Sequence, residues 1–151
     1  MSISSEIINE IESLIATENN NVANMANLSA HLFEKVGWHW VGFYLVDESR
    51  DELVLGPFQG PVACTRLKKG VGVCAKSWVE SSTAYVPNVH DFSGHVACSP
   101  LSNSELVIPI RSGKKVVAVL DIDSEELDGF SSEEIKILET VVSKLEARWE
   151  E

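Results

Sequence analysis

The chain has 151 residues, enough for one domain that buries about two-thirds of its unfolded surface. Twelve lysines and arginines face 23 aspartates and glutamates, and the net charge of −11 opposes binding to nucleic acid or to anionic membranes. No apolar stretch approaches the roughly 20 residues of a membrane helix, and the acidic start is unlike a signal peptide. We therefore expect one cytoplasmic domain over residues 1–151, with neither nucleic acid nor membrane as a partner.

Two amphipathic helices are predicted before any strand, within residues 1–36. Segments 5–17 and 22–36 both place apolar side chains three and four positions apart, which lines one face of a helix. The three asparagines at 19–21 end the first helix, and Gly37 is a typical stop for the second.

Strands are predicted for most of the central part of the chain, residues 38–125. Segments 38–47 and 51–60 have the composition of two strands joined by a polar turn. A short helix is predicted at 72–81, and a strand fragment follows it at 83–88. The central part therefore supplies the sheet and the loops at its edges.

A β-hairpin is predicted next, from segments 104–110 and 114–123. They flank the tripeptide Arg-Ser-Gly, and an odd loop length, such as three residues centred on Gly113 with its φ positive, would place Glu105 directly opposite Asp121. A two-residue loop would instead place Glu105 opposite Leu120, whose side chain lies on the other face of the sheet.

The last helix is predicted over residues 131–150. Ser131 and Glu134 form a capping box, and an apolar stripe follows them. Two helices, strands, a short helix, further strands and a closing helix indicate an α+β fold with an antiparallel sheet. We expect helices on one face of this sheet and a ligand cavity on the other.

Two aspartates occur at the end of the second hairpin strand. Side chains alternate along a strand, so Asp121 and Asp123 share a face with Val117 and Val119. One alternative is that the strand has reached solvent and both carboxylates are hydrated. If Glu105 faces them, however, three clustered carboxylates repel one another unless a proton, a metal or a ligand ammonium joins them.

The three cysteines have different surroundings. Cys74 starts the short helix, where the helix macrodipole favours a thiolate, whereas Cys64 and Cys98 lie in segments rich in Gly, Pro and polar residues. A single cysteine is commonly a small buried hydrophobe. A zinc site of these cysteines with His95 is another alternative, although no close CxxC pair occurs. Three thiols between residues 64 and 98, each near a glycine, a proline or a loop, are harder to explain as buried hydrophobes than a single one, and free thiols, metal ligands and redox groups all remain open.

These features together resemble one enzyme family. The segments WVGFYLV, LGPFQGPVACTR, GVCAKSW, VPNVHDFSGHVACSPLSNSELVIPI and VLDIDS are similar to those of the free methionine-(R)-sulfoxide reductases, which are small GAF-domain enzymes. The resemblance covers nearly all of the chain from about residue 38 onward and includes the cysteine spacings and the acidic positions. It implies a six-stranded antiparallel sheet and a homodimer.

The resemblance also implies a role for each cysteine. Cys98 would be the nucleophile that attacks the sulfur of free methionine sulfoxide and becomes a sulfenic acid. Cys64 would be the main resolving thiol and Cys74 an auxiliary one. Thioredoxin would then reduce the resulting disulfide, and no cofactor is expected.

The remaining roles concern substrate binding. By the same resemblance, Glu105, Asp121 and Asp123 would bind the substrate, and Trp40 would contact its S-methyl group. A different function remains open, because most GAF domains are not enzymes: the chain could be a non-catalytic sensor that binds a small amino compound.

Overall fold

The computed structural model describes residues 3–94 and 101–151. Helices form at α1 (Glu6–Ile15), α2 (Asn21–Val36), α3 (Gly72–Glu80) and α4 (Ser132–Arg148). Strands form at β1 (Trp40–Asp47), β2 (Glu52–Gln59), β3 (Arg66–Lys68), β4 (Ala84–Val86), β5 (Ser104–Ser112) and β6 (Lys115–Ser124), and a short 3-10 turn forms at Val89–Asp91. Strand β3 was not predicted, because three residues are too few to show a period.

The six strands form one antiparallel sheet in the order β3-β2-β1-β6-β5-β4. The predicted α+β class with a six-stranded antiparallel sheet is therefore confirmed. The long strands β1 and β6 lie at the centre and are paired on both sides. Of the helices in 3–94 and 101–151, none is both long and apolar enough to cross a membrane.

The two faces of the sheet carry different layers. One face packs against α1, α2 and α4 through a large apolar core that includes Ile11, Leu32 and Leu138. The other face carries a smaller apolar cluster with α3 beside it. The predicted division between a helical face and a cavity face is confirmed, and one short helix borders the cavity.

The cap at the end of α2 and the cap at the start of α4 are those that the sequence predicts. Gly37 has φ 71° and donates its N–H to the carbonyl of Phe33, which closes α2. Ser131 and Glu134 form the reciprocal capping box of α4. The prediction that the asparagine tract ends the first helix is wrong, because α1 ends at Ile15 and α2 already begins at Asn21. The side chain of Asn20 instead caps the start of α2 by accepting a hydrogen bond from the N–H of Ala23.

The turn of the β5–β6 hairpin differs from the prediction. The strands continue until Ser112 pairs with Lys115, so the turn consists of Gly113 and Lys114 rather than of Arg-Ser-Gly. Gly113 has φ 66°, which suits the first central position of a two-residue hairpin turn.

A β-bulge near this turn then changes the register. Arg111 pairs with Val116 but Ile110 pairs with Ala118, so β6 contains one residue, Val117, that has no counterpart on β5. Val116 consequently joins the cavity-side cluster and Val117 packs against the helix-side core. The prediction that Val117 shares the face of the aspartates is wrong for this reason.

The bulge decides which carboxylates meet. Glu105 pairs with Asp123, and Asp121 pairs with Val107, so the predicted pairing of Glu105 with Asp121 is wrong. A two-residue turn without a bulge would place Glu105 opposite Ile122, which faces the helical core. The extra residue restores the alignment, and all three carboxylates reach the cavity face.

Candidate active site

A cavity of about 40 Å³ lies on the face of the sheet opposite the three long helices. Five of the predicted site residues line it together: Trp40, Cys74, Glu105, Asp121 and Asp123. Strands β1, β5 and β6 and the first turn of α3 supply these side chains. The sheet therefore gathers residues that are far apart in the sequence into one acidic pocket.

The three carboxyl groups are close together; Glu105 and Asp121 are buried, and Asp123 is partly exposed. Glu105 is 7% exposed and Asp121 is 5% exposed. The Glu105 side chain makes hydrogen-bond contacts with both Asp121 and Asp123. The alternative of two hydrated aspartates is therefore wrong for Asp121, and the acidic end of β6 belongs to the cavity.

Burial holds protons on this cluster. It raises the pKa of Glu105 from 4.5 to about 8, with the negative charge of Asp123 as the second cause. Burial and then the charge of Asp121 also raise the pKa of Asp123 well above its ordinary range. At neutral pH the cavity thus contains carboxylic acids that can donate a proton as well as accept hydrogen bonds.

Cys74 does not have the environment that its position at the start of α3 predicts. Its side chain is 3% exposed, and its Sγ lies 4.0 Å from Oε2 of Glu105. Burial raises the pKa of the thiol, and the charges of Asp121 and Glu105 raise it further. The expectation of a thiolate is wrong, because a helix dipole contributes only about 0.3–1 kcal/mol and is outweighed here.

Trp40 forms the aromatic wall of the cavity. Its ring stacks on Phe58, with the ring centroids 5.2 Å apart, and on Tyr44, at 6.0 Å. Two glycines leave space for the ring: a Cβ atom at Gly42 would lie 2.7 Å from Cη2 of Trp40, and one at Gly60 would lie 2.7 Å from Cδ1. The position of the indole therefore depends on the absence of side chains at these two positions.

Two hydrogen bonds connect this wall to the segment that contains Cys64. Trp40 donates Nε1–H to the carbonyl of Pro61 at 3.0 Å, and Tyr44 donates its hydroxyl to the carbonyl of Cys64 at 2.8 Å. Burial, followed by the charge of Asp121, raises the pKa of Tyr44. Sequence reasoning did not select Tyr44 as a site residue, although its two-residue alternation with Trp40 along β1 was the available signal.

The two cysteines in the described part of the chain differ in oxidation state. Cys64 packs beside the cavity cluster and is disulfide-bonded, whereas Cys74 is a free thiol. Cys98 and His95 lie outside the described residues, and the proposed zinc set of four ligands falls partly outside them too. Within the described part of the chain, one sulfur and two carboxylates, from Cys74, Glu105 and Asp121, lie close enough to hold a metal ion.

Ser102 is a lining residue that the sequence analysis missed. It is 5% exposed, and its Oγ has no hydrogen-bond partner among the described residues. No periodicity or motif marks a serine in a polar loop, so only the folded chain reveals its position.

The arrangement suits one kind of chemistry. Carboxyl groups that are held at close range in a buried pocket can bind a cationic group and can also supply a proton to a leaving oxygen. The aromatic wall adds an apolar surface next to them, where a small alkyl group can pack.

Comparisons with known proteins identify the family. The family model for the GAF domain matches residues 19–147. The free methionine-R-sulfoxide reductase of Escherichia coli strain K12 is 41% identical over 138 residues, which are 91% of this chain and 82% of that protein. The yeast Saccharomyces cerevisiae protein of the same name is 38% identical over 123 residues, or 79% of this chain and 68% of that protein.

A solved structure is similar over the same range. The free methionine-R-sulfoxide reductase of Neisseria meningitidis, solved in complex with its substrate, superposes with a TM-score of 0.93 at 48% sequence identity. The match covers 95% of this chain and 86% of that chain. The fold, the domain match and these identities together show that the chain belongs to the GAF-domain family of free methionine-R-sulfoxide reductases, a family of oxidoreductases.

Proposed function

We propose that this protein reduces free L-methionine (R)-sulfoxide to L-methionine by thiol chemistry. The observation that carries the proposal is the buried cavity in which Glu105, Asp121 and Asp123 meet beside the ring of Trp40. The substrate complex of the Neisseria meningitidis relative, which is 48% identical, supports the same choice of substrate.

The cavity offers complementary groups for each end of this substrate. An ionised carboxylate of the cluster binds the α-ammonium group through a charge-assisted hydrogen bond. The S-methyl group packs against Trp40, whose ring is buried and is held by its stacking on Phe58 and Tyr44. These contacts orient the sulfoxide oxygen towards the protonated carboxyls.

The first chemical step takes place at Cys98. Its thiolate attacks the sulfur of the sulfoxide and forms a sulfur–sulfur bond, while a protonated carboxyl donates a proton to the oxygen. The resulting hydroxyl then moves to the sulfur of the cysteine as the sulfur–oxygen and sulfur–sulfur bonds break. The cysteine becomes a sulfenic acid, oxidised by two electrons, and methionine leaves with its sulfur reduced by two electrons. Glu105 suits the role of acid, because its pKa of about 8 keeps it protonated at neutral pH.

The second step restores the thiol. Cys64 attacks the sulfenic acid, a disulfide forms, and water leaves; a dithiol protein such as thioredoxin then reduces this disulfide by exchange. The disulfide-bonded state of Cys64 supports its part in this step. Cys74 is buried and its pKa is raised, so it is the poorer resolving thiol and remains an auxiliary one.

The assay is the reduction of racemic free methionine sulfoxide by the protein with thioredoxin, thioredoxin reductase and NADPH. We expect methionine to form until half of the racemate, the (R) epimer, is consumed. Saturable binding of methionine sulfoxide without any turnover would contradict the proposal and would favour the non-catalytic sensor instead.

The proposal extends to the assembly and location of the protein. We infer a single domain over residues 1–151 that acts in the cytoplasm and that forms a homodimer, the latter as the family resemblance implies. Light scattering on the purified protein tests the dimer, since a monomer at micromolar concentration would contradict it.

A further inference from the structure

A free amino acid carries a negatively charged α-carboxylate, which the acidic cluster cannot bind favourably. The three carboxyls of the cavity suit an ammonium group and a sulfoxide oxygen, but any ionised member repels the α-carboxylate of the same substrate. No lysine or arginine is present among the described residues that line the cavity. The α-carboxylate therefore needs neutral hydrogen-bond donors.

Most of the neutral side-chain hydrogen-bond donors in the described lining already have an acceptor within the protein. Trp40 donates to the carbonyl of Pro61, and Tyr44 donates to the carbonyl of Cys64. The thiol of Cys74 is a weak donor that contacts Glu105. The indole, the phenol and the thiol are thus all engaged within the protein.

The hydroxyl of Ser102 differs from these groups. It is 5% exposed, lines the cavity, and its Oγ has no partner among the described residues. Buried polar groups are nearly always hydrogen-bonded, so an exception at a ligand cavity indicates a donor that is kept for the ligand.

The first turn of α3 adds donors of the same kind. The helix has nine residues, its N-cap Val71 provides no side-chain hydrogen bond, and Gly72 and Val73 line the cavity. The first N–H groups of a helix have no partner within the helix, and they carry a partial positive charge. The cavity thus has a neutral wall that can accept an anionic group.

We propose that Ser102 is a specificity-determining residue that donates a hydrogen bond from its hydroxyl to the α-carboxylate of the bound amino acid. The first-turn N–H groups of α3 assist it through the positive end of the helix dipole. The inference rests on the proposed function, and it adds recognition of the carboxylate to the recognition of the ammonium group.

The test compares two ligands that differ only in this group. L-methionine has an α-carboxylate, whereas L-methioninol has a neutral hydroxymethyl group in its place. Isothermal titration calorimetry of both ligands on the reduced protein is made with wild type and with Ser102→Ala. We expect Ser102→Ala to bind L-methionine about tenfold more weakly or worse, and to bind L-methioninol as wild type does.

A matched control is available on α3. Ser77 is also buried, and its Oγ also has no hydrogen-bond partner within residues 3–94 and 101–151, but it does not line the cavity. Ser77→Ala should therefore leave both affinities unchanged. Both alanine variants should fold, because neither removes a hydrogen bond that the described part of the chain contains. Ser102→Thr, which keeps the hydroxyl, should recover most of the lost affinity.

Two results would overturn the inference: wild-type affinity of Ser102→Ala for L-methionine, or an equal loss of affinity for both ligands. Neither result affects the proposed reaction, which is judged by methionine formation in the wild-type protein. Failure of wild type both to bind L-methionine and to turn over the sulfoxide would refute the function and this inference together.

Discussion

Glu105 of β5 and Asp123 of β6 lie directly opposite each other across the sheet, and the bulge at Val117 places them there. The pair lies close to Asp121, so the three acids share a site that excludes most water. Three negative charges in this buried site would be unfavourable in free energy, and the cluster therefore retains protons. The proposed acid catalysis depends on this relationship.

Replacement of single cysteines should separate the two chemical steps. Cys98→Ser should abolish even a single turnover, because the nucleophile is lost. Cys64→Ser should release about one methionine per chain and then stall, because the sulfenic acid forms but is resolved poorly. Rapid-quench measurement of methionine in the absence of thioredoxin gives the size of this burst.

Cys74→Ser is the matched control for the cysteine experiment. Since Cys74 is buried and its pKa is raised, this variant should keep a normal burst and most of its steady-state rate with thioredoxin. A full burst from Cys98→Ser would contradict the assignment of the nucleophile. Free cycling of Cys64→Ser would make Cys74 the main resolving thiol.

The rate should depend on pH through the protonation of Glu105. Its pKa is raised to about 8, so the acid is present at neutral pH and is lost as the pH rises through about 8. We expect kcat/KM to fall above this pH. Measurement of kcat/KM from about pH 6 to about pH 9.5 shows the alkaline limb directly.

Glu105→Gln identifies the group behind this limb. The amide cannot give up a proton, so kcat/KM should fall by roughly tenfold or more and its alkaline limb should disappear. Glu34 is exposed on α2, so Glu34→Gln is the control that removes one negative charge outside the cavity. An unchanged limb in Glu105→Gln would assign the titration to another group of the site.

Substrate size should be strongly restricted. N-acetylation removes the α-ammonium charge and leaves carboxylates of the cavity without their partner, and sites of this kind discriminate by about 10⁴-fold. Free methionine (R)-sulfoxide should thus be reduced, while N-acetylmethionine sulfoxide and oxidised peptides should be nearly inert. The measurement is kcat/KM for each substrate at equal thioredoxin, and a ratio within about tenfold would show that the cavity does not select the ammonium.

Gly60→Ala should damage the aromatic wall. The new Cβ would lie 2.7 Å from Cδ1 of Trp40 and 2.9 Å from the carbonyl oxygen of His39, so the indole must move. We expect a lower kcat/KM, expressed mainly as a higher KM, since the ring packs against the S-methyl group. Steady-state kinetics and the near-ultraviolet circular dichroism of tryptophan both report this shift.

Gly113→Ala separates this effect from backbone strain. Gly113 also has positive φ, at 66°, but a Cβ atom there would meet nothing within 4 Å. Alanine adds strain of about 1–2 kcal/mol at the left-handed φ of Gly113 and more at Gly60, where φ is 130°, so both variants should have a lower melting temperature. Equal loss of activity in both variants would mean that strain, rather than contact with Trp40, is responsible.

The sequence by itself determined the local elements of this fold. The caps at Gly37 and Ser131 and the apolar periodicities are local signals, and they predict helices that the structure confirms to within about two residues. The alternation along β6 likewise predicts that Asp121 and Asp123 share a face. Such features depend on residues that are neighbours in the chain, so the sequence expresses them directly.

Only the tertiary structure decided the register and the electrostatics of the site. The pairing of β5 with β6 and the packing of side chains on both faces of the sheet together determine the turn at Gly113 and the bulge at Val117. No local sequence pattern predicts either of them. The raised pKa of Cys74 depends on its burial beside the carboxyls of distant strands. Ser102 is likewise buried only in the folded chain, where its hydroxyl has no partner among the residues that the structure describes. Desolvation is a property of the whole assembly around a group, and it appears only when the chain has closed over that group.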